Sequence, residues 1–313
     1  MAKKQISEIE RKISNTSLKE IDYRYQATVS YSQYSIYRSC PHRWFLQYVK
    51  NLAPYQASIQ TLFGTAMHET LQNYLKVMYE VSGAEADRID LINDFNTRFR
   101  ANYKKEFEST KQHFTSPDEM REFFDDGISI LEWFKKHRKQ FFTNRNTKLL
   151  GIEMPLMVGL SKNLFLKGFI DFVLYDEDQD KVYIYDIKTS RQGWNDKAKK
   201  DEIKISQILL YKEFFAKQYN IDIDKIEVEF LILKRKIWES KDFPIPHMSS
   251  FRPPSGKIKR KQAMERFNSF LAECFDNEGK QVIKAYPKQV SKDSCGYCPF
   301  KDNKELCDKN VAS

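Results

Sequence analysis

Acids inside apolar segments, a lysine two residues after one of them, and thiols in close pairs are the side chains of this sequence best suited to metal and acid–base chemistry. In YIYDIKT (183–189), strand alternation puts Ile184, Asp186 and Lys188 on one face and Tyr183, Tyr185 and Ile187 on the other. Asp186 and Lys188 therefore point the same way. Upstream, GFIDFVLY (168–175) sets Asp171 among apolar neighbours, where a carboxylate is costly without a cation partner. The turn DEDQD between the two segments is tight enough for them to pair, which brings Asp171 and Asp186 together across a sheet. Two carboxylates converging at a strand end suit a hard divalent cation, Mg²⁺ or Mn²⁺. A lysine beside them can hold an attacking water or stabilise a developing negative charge. A simple buried ion pair between Asp171 and Lys188 is the alternative that this pattern leaves open.

The second group is the cysteines, Cys40, Cys274, Cys295, Cys298 and Cys307. Cys295 and Cys298, three positions apart in a Gly/Pro turn, can grip one metal centre, and Cys307 adds a third thiolate. For the fourth, Cys40 in the polar break CPHRW is a better candidate than Cys274, which lies on the apolar segment FLAECF as a buried free thiol would. Four thiolates suit Zn²⁺ or an iron–sulfur cluster, and spacing does not separate the two.

These residues need elements to position them. Residues 1–29 show no clear period and read as an N-terminal arm. Tyr31–Lys50 reads as a short helix broken at Pro41 and resumed, and Phe63–Glu80 as a helix with Met67, Leu71, Tyr74 and Met78 on one face and His68 and Glu69 aboard. Residues 85–147 read as two or three helices inserted beside the main domain. After Lys148 the period changes to two. Strands are expected at 149–158, 164–175 and 181–190, a helix at 203–218, a strand at 226–234 and a helix near 258–275. That order predicts an α/β fold in which a mixed central sheet is flanked by helices. The stretch 286–313 has too few apolar residues to form a core.

In this arrangement GFIDFVLY, YIYDIKTS and the helix SQILLYKEFF resemble the motifs of the PD-(D/E)XK nuclease superfamily, with its restriction-endonuclease-like core. His68 in GTAMHETLQNY resembles the first motif of the RecB-like branch. By that resemblance His68, Asp171, Asp186 and the Ile187 backbone carbonyl would ligate Mg²⁺ or Mn²⁺, and Lys188 would be the catalytic lysine. Gln207 and Tyr211, four apart on one helical face, match the family's Q-x-x-x-Y motif, which orients the lysine and contacts DNA. Many members have Glu where this chain has Asp186. Glu153 stands where related sequences often carry an acid. One cysteine before the histidine motif and three near the C-terminus resemble the iron–sulfur nucleases, of the AddB, CRISPR-adaptation and exonuclease V types. The resemblance implies that Cys40, Cys295, Cys298 and Cys307 hold a [4Fe–4S] cluster, with Zn²⁺ as the alternative. It also implies one nuclease domain over 30–313, whose 286–313 tail is stapled to Cys40.

Composition sets the outer bounds. The chain has 313 residues, 41% hydrophobic and 14% aromatic, which excludes a disordered or disulfide-stapled class. No apolar run approaches the length of a membrane span, and MAKKQISEIERK lacks a signal peptide's apolar stretch, so an intracellular protein is expected. The net charge of +9 is concentrated: Lys234–Lys261 holds nine Lys or Arg against Glu239 and Asp242. Trp238, Phe243, His247 and Phe251 are interleaved with Lys234, Arg235, Lys236, Lys241, Arg252, Lys257, Lys259, Arg260 and Lys261. Basic groups for phosphates and aromatic faces for bases make a candidate DNA-binding surface, with a solvated loop as the alternative.

The sequence therefore predicts a metal-dependent deoxyribonuclease. By family resemblance and from the aromatic-basic window, it is expected to be an exonuclease acting on single strands or DNA ends in repair, recombination or replication. An endonuclease of the same superfamily and a non-catalytic DNA-binding subunit of a repair complex are the rivals. No G-x-x-x-x-G-K-[ST] loop is present, so a helicase would be a partner rather than part of this chain.

Overall fold

A computed structural model describes residues 6–18, 20–53, 57–143, 145–238 and 245–307. Near its start, Ser7 and Glu10 form a reciprocal cap on helix α1 (Glu8–Ser14), and Ile9 anchors that helix in the main core. Strand β1 (Ala27–Val29) and helix α2 (Tyr31–Ser39) follow, and the chain breaks at Cys40 before α3 (Pro41–Trp44). Pro41 occupies the first turn of α3, where its missing N–H costs nothing. The long helix α4 (Ile59–Glu80) starts at a Ser58 cap and buries Phe63, Met67, Leu71, Tyr74 and Met78. Helices α5 (Gly83–Arg88), α6 (Leu91–Thr110) and α7 (Pro117–His137) pack beside it. Gly127 on α7 lies so close to the Phe95 ring that a side chain there would collide with it, so glycine sets the approach of α6 and α7.

Strands β2 (Thr147–Gly159), β3 (Leu164–Asp176) and β4 (Lys181–Ser190) form an antiparallel meander. The short helix α8 (Asp196–Lys199) and helix α9 (Glu202–Tyr219) then carry the chain over to β5 (Ile226–Lys234), which pairs parallel to β4. β6 (Met248–Phe251) closes that edge antiparallel, and α10 (Lys257–Cys274) and α11 (Lys292–Cys295) complete the described chain. The result is a mixed α/β fold whose six-stranded mixed sheet is flanked by helices. One core packs α2, α9 and α10 on one face of the sheet, with Ile170, Ile184, Phe214 and Phe267 in it. The other packs α4, α6 and α7 on the opposite face, around Phe63, Phe95, Phe172 and Tyr185.

The region read as an unpatterned N-terminal arm thus contains a capped helix and a strand. Three residues of β1 and four of β6 are too short to display a period, and each owes its place to the neighbour it pairs with. Among the described residues, no helix is long and apolar enough to cross a membrane.

The sheet contains a fork. β3 pairs with β2 along one edge, while its other edge is divided between β4, at Phe172–Asp176, and β1, at Leu164–Leu166. Among the described residues, 167–171 have no strand on that side, and β4 continues past the fork with only β5 beside it.

Candidate active site

The fork brings the two acids together. The β3–β4 ladder ends at Phe172 opposite Tyr185, whose rings stack with centroids 4.6 Å apart on the α4 face. One residue further, Asp171 replaces the missing strand: its Oδ2 accepts the Ile187 N–H at 2.5 Å. The N–H and C=O of a strand residue face the same neighbour, so the Ile187 carbonyl also looks into the gap. Asp186, paired in register with Phe230 of β5, has 3% of its side chain exposed, whereas Asp171 keeps 15% and His68 25%. The gap is therefore closed at Asp186 and open at His68.

His68 reaches it from α4, with Nδ1 3.6 Å from Asp171 Oδ2. Burial and then the Lys188 charge lower the imidazole pKa, against the pull of Asp186 and Glu153, which favours a ring with a lone pair to donate. Lys188 Nζ lies 2.7 Å from Asp186 Oδ2. Asp186 Oδ2 is thus a buried carboxylate oxygen ion-paired to this ammonium. Both carboxyls are pushed up to about 6, chiefly by burial, with Lys188 pulling the other way. Two desolvated acids that share the Lys188 charge are a donor set that a divalent cation would relieve. Among the described residues, no three His, Cys, Asp or Glu side chains are arranged to hold a metal ion by themselves. His68, the two acids and the carbonyl surround the gap without converging on a point.

Two further residues belong here. Glu153 lies opposite Asp171, where the β2–β3 register steps from Ile152↔Phe172 to Met154↔Ile170 and skips a pair. Its φ of 48° is left-handed, a strain that non-glycine residues keep only where the surroundings enforce it. Because of that twist, Ile152 packs on the α4 side and Met154 in the opposite core. Gln72, one turn after His68 on α4, enforces it by donating to Glu153 Oε1 at 2.6 Å and to the Asp171 carbonyl at 3.1 Å. The i, i+4 spacing of His68 and Gln72 was the one signal for this in the sequence. On the α9 side, Gln207 donates to the Tyr211 hydroxyl at 3.3 Å rather than to Lys188, and the Tyr211 ring covers Gly168.

The raised acids carry a consequence for stability. A folded pKa above the unfolded value of 3.8 contributes stability that is complete below pH 4 and lost as pH rises through about 6. Asp186→Asn should therefore raise the melting temperature of chelator-treated protein by a few degrees at pH 7.5 and by nothing near pH 4. Thermal unfolding across pH in a chelator reads this directly; an equal gain at both pH values would show that Asp186 titrates normally.

The basic window separates into paired and exposed cations. Arg235 binds Asp126 at 2.7 Å and stacks 3.6 Å over Phe123, Lys236 bridges Glu122 and Asp126, and Arg260 is held by Glu213 and the Ser255 carbonyl. Lys234 is half-buried, its pKa lowered by burial and by Lys199. Lys257, Lys259 and Lys261 are exposed on the first turns of α10, Lys261 beside Glu265 at 3.7 Å, and Trp238 is exposed as well. Glu239, Lys241, Asp242 and Phe243 lie outside the described residues.

Far along the sequence, the tail returns to Cys40. The Gln289 N–H donates to Cys40 Sγ at 3.4 Å, His42 N–H donates to the Pro287 carbonyl at 3.1 Å, and His42 Nε2 meets the Leu306 carbonyl at 2.9 Å. Phe300 is buried beside them. Cys40, Cys295, Cys298 and Cys307 line one cavity, and burial followed by the Cys298 thiol raises the Cys307 pKa, with Cys40 and Cys295 adding to it. Cys274 is elsewhere, wholly buried against the α9–α10 core, its thiol pushed up to about 12.

The family described as the PD-(D/E)XK nuclease superfamily matches residues 28–303. No curated protein matches the chain.

Proposed function

The chain belongs to the PD-(D/E)XK nuclease superfamily, and from that premise we propose that it is a Mg²⁺- or Mn²⁺-dependent deoxyribonuclease of the RecB-like branch, working as an exonuclease on single-stranded DNA or DNA ends. The observation that carries the reading is the fork, where two desolvated carboxyls, Asp171 and Asp186, stand beside His68 and Lys188. His68, Asp171, Asp186 and the Ile187 carbonyl would hold the metal. A bound divalent cation would polarise the scissile phosphodiester and make the attacking water more acidic.

The remaining work falls to this chain's own side chains. Lys188, a third exposed beside Asp186, is placed to orient the water and to meet charge that builds on the phosphate. Gln72 and Glu153 fix the Asp171 backbone. Tyr211, held by Gln207, walls the site on the α9 side, where DNA would pass. In the tail, the four thiols lining one cavity support a [4Fe–4S] cluster that joins residues 286–307 to Cys40, with Zn²⁺ as the other occupant for such a donor set.

Substrate would be gathered by the exposed lysines of α10. Neutral substitutions at Lys257, Lys259 and Lys261 should weaken DNA binding and flatten its salt dependence by about one unit of slope for each phosphate no longer neutralised. A slope unchanged in the triple variant would mean that this face stays in solvent. The exonuclease reading is tested by digesting 5′- and 3′-labelled linear strands beside circular ones. Shortening of linear strands with circles intact is expected; cutting of circles would favour an endonuclease.

A further inference from the structure

The end of β4 opens into a groove that the chemistry above does not use. Beyond Lys188, residues Thr189, Ser190 and Arg191 form one wall, Gln60 and Phe63 of α4 lie along it, and Tyr297 borders it. α4 also carries His68, eight residues after Gln60, or ~12 Å along the helix axis. The groove and the acidic fork are thus served by the same strand and the same helix. Tyr297 stands in the turn between Cys295 and Cys298 and is 95% exposed, the most exposed large hydrophobic side chain among the described residues. An exposed aromatic ring beside a cleft offers a face on which a nucleobase can stack. Arg191, in the wall formed by the end of β4, is exposed. The acids that also border the groove are engaged: Glu122 pairs with Lys236 at 3.0 Å, and Glu119 accepts the Thr115 hydroxyl at 2.7 Å.

We infer that this groove is a base-stacking subsite for single-stranded DNA. Tyr297 stacks on a nucleobase a few nucleotides from the scissile phosphate, and Arg191 contacts the backbone beside it. The inference rests on the nuclease reading above and adds to it the strand form and a positioning residue. It also gives the cysteine turn a second task, since whatever fixes Cys295 and Cys298 fixes the ring between them.

Binding of the full chain to labelled single-stranded oligonucleotides, each with one abasic position, tests this in a chelator, where no strand is cut. Wild-type protein should lose about 5- to 150-fold in affinity when the abasic position falls in one register. Tyr297→Ala should show the same loss on intact DNA and no further loss at that register, whereas Tyr297→Phe and Tyr297→Trp should bind as wild type. Absence of any sensitive register in wild-type protein, or the same sensitivity in Tyr297→Ala, would overturn the subsite. Should Tyr297→Ala disturb the cysteine turn, seen as changed metal content or melting temperature, the wild-type register scan and the Phe and Trp variants decide alone. Failure of the nuclease reading would look different: register-dependent binding intact, with no cleavage when metal is restored.

Discussion

Lys188→Ala and Asp186→Ala should each reduce DNA cleavage by at least about a hundredfold to ten-thousandfold, the range expected when a group acting on the reacting water or phosphate is lost. Their positions make these clean variants. Lys188 is partly exposed and Asp186 is a buried carboxyl whose charge burial disfavours, and neither belongs to the two apolar cores. Both proteins should therefore fold and keep much of their DNA affinity. Single-turnover digestion of labelled DNA at saturating enzyme separates the chemical step from binding. Near wild-type rates from well-folded Asp186→Ala would end the assignment of this fork as the catalytic centre.

The second large effect concerns the tail. If Cys40, Cys295, Cys298 and Cys307 share one cluster, the link between Cys40 and Cys307 closes most of the chain into a loop. By analogy with covalent cross-links, closing a loop of this length stabilises by on the order of 5 kcal/mol. Cys40→Ser should lower the melting temperature by about 10 °C and release the tail to proteolysis. Cys274→Ser, a change within the α9–α10 core, should leave the cluster in place. Protein prepared without oxygen should be brown with about four irons per chain, and Cys40→Ser should bleach it. One zinc in colourless protein would replace the cluster while keeping the staple; bleaching by Cys274→Ser instead would overturn the ligand assignment.

How much of this the sequence displays depends on how local the cause is. Alternation in YIYDIKT and GFIDFVLY, with five turn residues between, specifies the pairing that places Asp171 beside Asp186, because register in a short hairpin is a local property. The long helix α4 announces itself through its buried stripe, and α9 through a run of apolar residues buried on nearly every side. Glu153 does not, because its φ of 48° turns the strand over and defeats the very alternation used to read it. Gln72 shows only its four-residue spacing from His68, because its two acceptors come from β2 and β3, 81 and 99 residues away. Charge composition likewise counts Arg235 and Arg260 with the exposed lysines of α10. Only tertiary packing shows that Asp126 and Glu213 already hold them. The gathering of Cys40 with three thiols more than 250 residues later rests on backbone contacts such as His42 to Pro287, which leave no mark in local pattern.

Once it holds a divalent metal, this fork should hydrolyse DNA. The most direct measurement is digestion of end-labelled linear DNA by purified wild-type protein in chelator, then with Mg²⁺ or Mn²⁺ restored, with Asp186→Ala alongside. No product is expected in chelator, shortened strands when either metal is added, and none from the variant. Cleavage that persists in chelator, or that the folded variant performs as well as wild type, would contradict metal-dependent hydrolysis at this fork.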